Sequence, residues 1–231
     1  MGDRELKPRN IAHRGASVDR PENTLAAFEL AVEQGADMIE TDLHLLRDGA
    51  IALYHDDEIG GRPVGAHSLA ELRRRLPDAP TLEETLDSLG QRIDFNLEIK
   101  SPKAGDYVGL EARTLEEVRR RGILARTLFS SFADTVLRRL RELEPKARLG
   151  TLVSARSPEN ILGRAASVKA EAVHLDLRLA TEARIAEAHA AGYQVNVWTV
   201  DAPADQRRLI AAGVDGIFTN VPAKLRALLT Q

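Results

Sequence analysis

A closed (β/α)8 barrel is the fold class that the sequence predicts, and three observations predict it. Short apolar, β-branched runs alternate with longer helix-patterned stretches from end to end, the pattern of consecutive βαβ units around a parallel sheet. The alternation makes eight rounds in 231 residues, and about 29 residues per round is the size of a minimal βαβ repeat. The turn after the first strand reads HRGASVDRPEN, not the Gly-rich phosphate loop of an open doubly wound sheet, which ranks that arrangement second.

Strands are expected at 10–13, 38–44, 93–100, 127–132, 147–152, 172–176, 194–199 and 216–219. Helices are expected at 24–34, 81–89, 111–121, 134–143, 158–166, 181–191, 204–212 and 222–229. Start signals are Asn23 before Thr24 and Ser157 before Pro158; Gly35, Gly122, Gly192 and Gly213 stand just past helix ends. One irregularity interrupts the rhythm. Residues 47–80 hold a short apolar run and then GGRPVGAHSLAELRRRLPDAP, which reads as an insertion on the barrel top after the second strand. The expectation is one domain, 1–231, with the short insertion at 56–80.

Composition narrows the function classes. A hydrophobic fraction of 43% can fill one sizeable core, and single barrels commonly run to about 200–250 residues. With 32 basic against 35 acidic side chains interleaved along helices, no electrostatic footprint for nucleic acid or an anionic membrane is present. No apolar run approaches the roughly 20 residues of a membrane span. The opening MGDRELKPRNIA lacks the apolar stretch of a signal peptide, so the expected location is cytoplasmic. The absence of Cys excludes disulfides, thiolate nucleophiles and Cys-based metal sites.

In a barrel the C-terminal strand ends floor the active site, so polar residues there need a reason other than packing. The second strand holds Glu40-Thr41-Asp42-Leu43-His44 and the third Asn96-Leu97-Glu98-Ile99-Lys100. Side chains alternate along a strand, which puts Glu40, Asp42 and His44 on one face and Asn96, Glu98 and Lys100 on the matching face. Adjacent strands lie about 4.8 Å apart, so Glu40, Asp42 and Glu98 can converge. Three such carboxylates cannot all stay ionised without a cation, and oxygen donors suit a hard divalent metal, Mg2+ or Ca2+. His13 and Arg14 end the first strand, Lys100 ends the third, and His55 follows the apolar run of the insertion. Arg and Lys suit a phosphate, and two histidines suit an acid and a base. Together these groups describe phosphodiester cleavage.

At these residues the sequence resembles the glycerophosphodiester phosphodiesterases. The resemblance runs through nearly the whole chain: HRG followed by PENT (13–15, 21–24), GADMIETDLHLLRDG (35–49), HDD (55–57) and NLEIK (96–100), with weaker echoes in FSSF, VNVWTV and GVDGIFTN. It implies a TIM barrel that hydrolyses a small-molecule glycerophosphodiester to sn-glycerol 3-phosphate and an alcohol. It implies Glu40, Asp42 and Glu98 as ligands of one divalent metal, His13 and His55 as the acid and base pair, and Arg14 and Lys100 on the phosphate. The family further suggests attack by the glycerol 2-hydroxyl to give a cyclic intermediate that water opens, with His13 as acid and His55 as base. Two departures stand out: the short insertion leaves little chain for a deep alcohol pocket, and Asn220 stands where the family often has Asp.

Blander readings exist for each residue. The three carboxylates could form an ion-pair network with Lys100 and Arg14, although buried pairs seldom stabilise a fold better than apolar packing. His44 is either a fourth ligand or a packing group, and its place further along the strand favours packing. His67, His174 and His189 read as core or surface residues; Asp176 either touches substrate or pairs with a loop. Trp198, sharing a face with Gln194 and Asn196, lines the glycerol pocket or fills the barrel. Asn23 reads as the N-cap of a helix opened by Thr24, with Glu22 bracing the loop of His13 and Arg14. Rival functions are a phospholipase C or D type barrel acting on lipid headgroups, glycoside hydrolysis by Glu40 and Glu98, and a non-catalytic barrel that binds a phosphorylated ligand. The aromatic fraction of 4% offers neither a membrane-docking rim nor sugar platforms.

Overall fold

The computed structural model describes residues 7–102 and 105–230. Residues 1–6, on which the absence of a signal stretch partly rests, lie outside the described residues. The strands are β1 (Arg9–His13), β2 (Met38–Leu45), β3 (Ile51–Leu53), β4 (Glu58–Ile59), β5 (Arg62–Pro63), β6 (Asp94–Ile99), β7 (Thr127–Ser131), β8 (Arg148–Val153), β9 (Ala172–Asp176), β10 (Gln194–Trp198) and β11 (Gly216–Thr219). The helices are α1 (Leu25–Glu33), α2 (Leu69–Arg73), α3 (Leu82–Leu89), α4 (Leu110–Arg120), α5 (Asp134–Leu143), α6 (Ile161–Ser167), α7 (Glu182–Ala190), α8 (Pro203–Ala211) and α9 (Pro222–Leu229). Eight parallel strands run in the order β1, β2, β6, β7, β8, β9, β10, β11, and β11 pairs back onto β1, so the sheet closes. This is the (β/α)8 barrel.

The alternation expected from the sequence organises the packing. On β6, Phe95, Leu97 and Ile99 face outward into the core shared with the helices, whereas Asn96 and Glu98 face inward. The barrel centre is filled by Ile11, Met38, Leu128 and Phe218, with Trp198 against them. The insertion carries its own small apolar cluster of Leu46, Ala52, Ile59, Val64, Leu72 and Ala79. It is tied to the barrel by antiparallel pairing of β3 with β2, and this pairing holds the chain that leads to His55 beside Asp42. Capping boxes at Ser68 with Glu71 and at Thr81 with Glu84 open α2 and α3.

Two helix starts differ from the sequence reading. Thr24, not Asn23, caps α1 by accepting a hydrogen bond from the Ala27 N–H at 3.2 Å. Asn23 is turned inward in the left-handed region with φ of 54°, where its side chain serves the site instead. Helix α6 begins at Ile161, with Asn160 at the N-cap position in the left-handed region, and the Ser157 N–H closes a turn onto the Ser154 carbonyl at 3.0 Å instead.

His174 occupies the barrel interior, with neither ring nitrogen partnered among the described residues and its ring 5.1 Å from that of Phe218. Gly150 makes that possible, since a Cβ there would lie 2.4 Å from His174 Nε2. Burial alone pushes the imidazole down from 6.5 to about 3. The unfolded chain therefore binds a proton that the folded chain refuses across that window. His174 costs nothing above pH 6.5, and stability falls as the pH drops below it, by about 1.4 kcal/mol per pH unit within the window. Denaturant melts of His174→Leu and wild type should diverge between pH 6.5 and 4.5, with the variant losing less; parallel losses in the two proteins would refute this.

Candidate active site

The site is assembled at the C-terminal mouth by the ends of β1, β2 and β6. β1 runs out at His13, and the next two residues turn sharply, Arg14 with φ of 58° and Gly15 with φ of 86°. A Cβ on Gly15 would stand 2.7 Å from the backbone carbonyl carbon of Ala27, so only glycine fits. The turn aims the Arg14 N–H at Glu40, 3.1 Å from Oε2 and 3.0 Å from the backbone carbonyl. In the β2–β6 register Glu40 stands opposite Asn96 and Asp42 opposite Glu98. Glu40, Asp42 and Glu98 are buried, and each offers an oxygen within 4.8 Å of the others.

Cations reach this cluster unevenly. Lys100 Nζ lies 2.8 Å from Asp42 Oδ1 and 3.0 Å from Glu98 Oε1. Arg14 Nε lies 3.3 Å from Asp42 Oδ2, while its other end pairs with both Glu22 oxygens at 3.1 and 3.0 Å. Asn23 Nδ2 donates to Asp42 Oδ2 at 2.9 Å and its Oδ1 accepts from Thr41 at 2.7 Å. Among the described residues no Lys or Arg side chain makes an ion pair with Glu40; its Oε2 has the Arg14 N–H and His13 Nε2, the latter 4.0 Å away.

The ionisation preferences follow. Burial opposes the charge on Asp42, but Lys100 and then Arg14, with donors from Lys100 and Asn23, outweigh it and hold the carboxyl well below the usual range. Burial first, then the charges of Asp42 and Glu98, push Glu40 well above 4.5, and Arg14 and Lys100 only partly oppose them. Glu98 is also raised, by burial and by Asp42, against the pull of Lys100. Burial disfavours the Lys100 ammonium, yet Glu98 and Asp42 keep it firmly charged. His13 is lowered from 6.5 to about 4 by burial and then by Arg14, against smaller opposing effects of Asn220, Asp42 and Glu22.

An ion-pair network is thus present, but it does not satisfy the cluster. Three carboxylates face two cations, one of which is shared with Glu22. The donor set fits a hard divalent cation: such ions hold oxygens at about 2.0–2.6 Å, so ligands across the ion stand roughly 4–5 Å apart. The observed spread of 4.8 Å suits that. Beside it, the buried Asn96 Oδ1 has no hydrogen-bond partner among the described residues, while Nδ2 donates to Ser130 Oγ at 2.9 Å.

Above the cluster is a cavity of about 90 Å3 lined by His13, Arg14, Glu40, His55, Asn96, Glu98, Lys100, Trp198 and four neighbours. His55 sits on its solvent side, with Nδ1 donating to Asp56 Oδ1 at 2.8 Å. Trp198 is fixed by its indole N–H on the His174 carbonyl at 2.9 Å and packs edge-to-face on Phe132 at 5.7 Å. A larger depression of about 530 Å3 opens on the opposite face of the barrel. There Arg9 and Arg126 pair with Asp94, and Arg226 with Asp37, so the cations are consumed locally.

His13, Arg14, Glu40, Asp42, His55, Glu98, Lys100 and Trp198 are gathered at this mouth. His44 is not: its Nδ1 meets the Tyr107 hydroxyl at 2.7 Å, in an edge-on ring contact. Asp176 pairs with Arg178 at 2.6 Å and caps the turn after β9. His189 bonds Asp215 at 2.8 Å. The sequence reading missed the partners of the two site histidines, Asp56 for His55 and Asn220 for His13, the latter at 2.8 Å. Asp56 was visible as the neighbour in HDD. Asn220 stood out only as a departure from the family, and nothing local ties it to His13 or to the Asp201 behind it.

A buried carboxylate cluster flanked by Lys, Arg and two histidines at the mouth of a (β/α)8 barrel is a set of groups that suits cleavage of a phosphodiester. The chain matches the model of the Glycerophosphoryl diester phosphodiesterase family over residues 13–224, and it belongs to that family. The glycerophosphodiester phosphodiesterase of Caldanaerobacter subterraneus subsp. tengcongensis is 32% identical, across 98% of this chain and 99% of that protein. The glycerophosphodiester phosphodiesterase of Bacillus altitudinis is 32% identical, across 92% of this chain and 94% of its own. The structure of an Oleispira antarctica phosphodiesterase in complex with the product sn-glycerol-3-phosphate superposes with a TM-score of 0.86 at 28% identity, covering 97% of this chain and 98% of that one. The chain is a phosphoric diester hydrolase acting on glycerophosphodiesters. Among the described residues no helix is long and apolar enough to cross a membrane.

The raised Glu40 carboxyl has a stability consequence in the metal-free protein. Its favourable balance is complete below the ordinary value of 4.5 and is lost as pH rises through the folded value. Glu40→Gln should therefore melt above the metal-free wild type at pH 8, by about 3 °C or more, with the gap closing toward pH 5. Thermal melts with and without Mg2+ or Ca2+ check this, since added cation should stabilise wild type increasingly with pH and the variant little.

Proposed function

We propose that this enzyme cleaves soluble, deacylated glycerophosphodiesters, such as glycerophosphocholine or glycerophosphoethanolamine, to sn-glycerol 3-phosphate and an alcohol. The observation that carries this reading is the convergence of Glu40, Glu98, Lys100, Arg14, His13 and His55 on one small cavity, with Asp42 buried beside the two glutamates. That space matches a phosphoryl group with part of a glycerol unit better than a lipid, which leaves the alcohol pointing toward solvent.

Glu40, Asp42 and Glu98 are assigned as the ligands of one divalent ion, Mg2+ or Ca2+. When bound, the ion supplies positive charge against the phosphoryl oxygens. Lys100 and Arg14 add fixed positive charge at the same place, preorganised by their carboxylate partners. Trp198, immobilised by its N–H, offers the glycerol carbons a flat wall. His55, on the solvent side and oriented by Asp56, takes the proton of the glycerol 2-hydroxyl as it attacks phosphorus. His13, deeper in the cavity, enters this step as imidazolium, gives its Nε2 proton to the departing alcohol and is left neutral with its remaining proton on Nδ1. The roles reverse when water opens the cyclic phosphodiester.

Release of glycerol 3-phosphate from both diesters tests this in chelator and after addition of Mg2+ or Ca2+. Release should stop in chelator, return with a cation, and be lost in Glu98→Gln. Release that ignores chelator, or that persists in Glu98→Gln, would contradict the ligand assignment. Separately, His13→Gln and His55→Gln should each lower kcat by about 10²- to 10⁴-fold, measured at saturating substrate.

A further inference from the structure

We infer that Asn220, locked by Asp201, is a positioning residue that fixes the proton of neutral His13 on Nδ1, so that Nε2 alone exchanges protons with the substrate. The inference rests on the acid and base role proposed for His13. Its evidence is a chain of hydrogen bonds with only one self-consistent direction.

Asp201 lies in the loop after β10, and Asn220 is the residue after β11, the strand that closes the barrel onto β1. Asp201 Oδ1 accepts from the Asn220 N–H at 2.7 Å and from Thr219 Oγ1 at 3.0 Å; Oδ2 lies 2.7 Å from Asn220 Nδ2. A carboxylate only accepts, so the NH2 side of the Asn220 amide must face Asp201. The amide oxygen is then turned the other way, 2.9 Å from Ser17 Oγ and 2.8 Å from His13 Nδ1. An amide oxygen only accepts as well, which leaves Nδ1 as the donor. In the neutral ring Nε2 then holds the lone pair, and Nε2 is the atom on the Glu40 side of the ring.

The arrangement orients the imidazole without setting a negative charge against it. Asp201 does its part from one residue further away, through an amide that transmits direction but no net charge. The chemistry proposed for His13 needs that geometry: a ring held in one tautomer, free to receive or give its proton only on the substrate side.

The test compares wild type, Asn220→Ala, Asp201→Asn and the exchanged pair Asp201→Asn/Asn220→Asp, each supplied with Mg2+ and checked for folding by its thermal melt. Nitrogen-15 NMR of labelled histidine at neutral pH reads the His13 tautomer directly, assigned by its disappearance in His13→Gln. Wild type should carry the proton on Nδ1. Asp201→Asn, which does not touch His13, should let the Asn220 amide turn over and move the proton to Nε2. Asn220→Ala and Asp201→Asn should each lower kcat by about 10- to 100-fold with KM and cation affinity unchanged. The exchanged pair keeps a donor facing an acceptor at every link, so it should restore both the Nδ1 tautomer and kcat.

An Nε2 proton in wild-type His13, or an Asp201→Asn protein with unaltered tautomer and kcat, would overturn the inference. If His13→Gln keeps its activity, the acid and base reading fails, and the NMR result still decides the tautomer on its own.

Discussion

Three buried carboxylates forced together with too few cations are the constraint on which the rest of this structure turns. Glu40, Asp42 and Glu98 face each other because two adjacent parallel strands are in the register that makes them neighbours. Each charge has lost its hydration, which is costly unless an opposite charge replaces it. Lys100 compensates Asp42 and Glu98, and Arg14 reaches Asp42. Glu40 is left with a backbone N–H. A network built for stability alone would pair its members one to one; this one keeps a deficit of positive charge at a place open to the cavity, which is what a site that takes up a divalent cation requires.

The surrounding elements preserve that imbalance. The HRG turn presents a backbone donor, not a side-chain cation, to Glu40, and the close approach to Ala27 demands the glycine in it. Asn23 gives up a capping role to hold Asp42, and Thr24 caps the helix in its place. Glu22 draws one end of Arg14 away from the cluster. The same economy governs the histidines: each has its Nδ1 engaged by an oxygen, Asp56 for His55 and Asn220 for His13, and each lines the cavity.

Much of this was legible in the sequence, because period-two alternation along ETDLH and NLEIK is a local property that fixes which side chains share a face. The eight strand and helix rounds were legible for the same reason. What escaped depends on contacts between residues far apart in the chain. Asn220 meets His13 only because the barrel closes, and Asp201 meets Asn220 only because β10 and β11 are adjacent. The PENT start was misread by one residue since Asn and Thr are both good caps, and the choice between them was made by the buried Asp42. His174 was read as a core or surface residue and lies in the core, and nothing local revealed that Gly150 makes room for it.

The most direct measurement of the central claim is the number of protons released when the cation binds. Calorimetric titration of Mg2+ or Ca2+ into the metal-free protein, repeated near pH 6 in buffers of different ionisation enthalpy, reads that number. A raised Glu40 carboxyl must give up its proton to become a ligand. The account therefore predicts net proton release in wild type and a smaller release in Glu40→Gln. Tight binding with no proton release would mean that Glu40 is already ionised in the metal-free protein, and the account would fall.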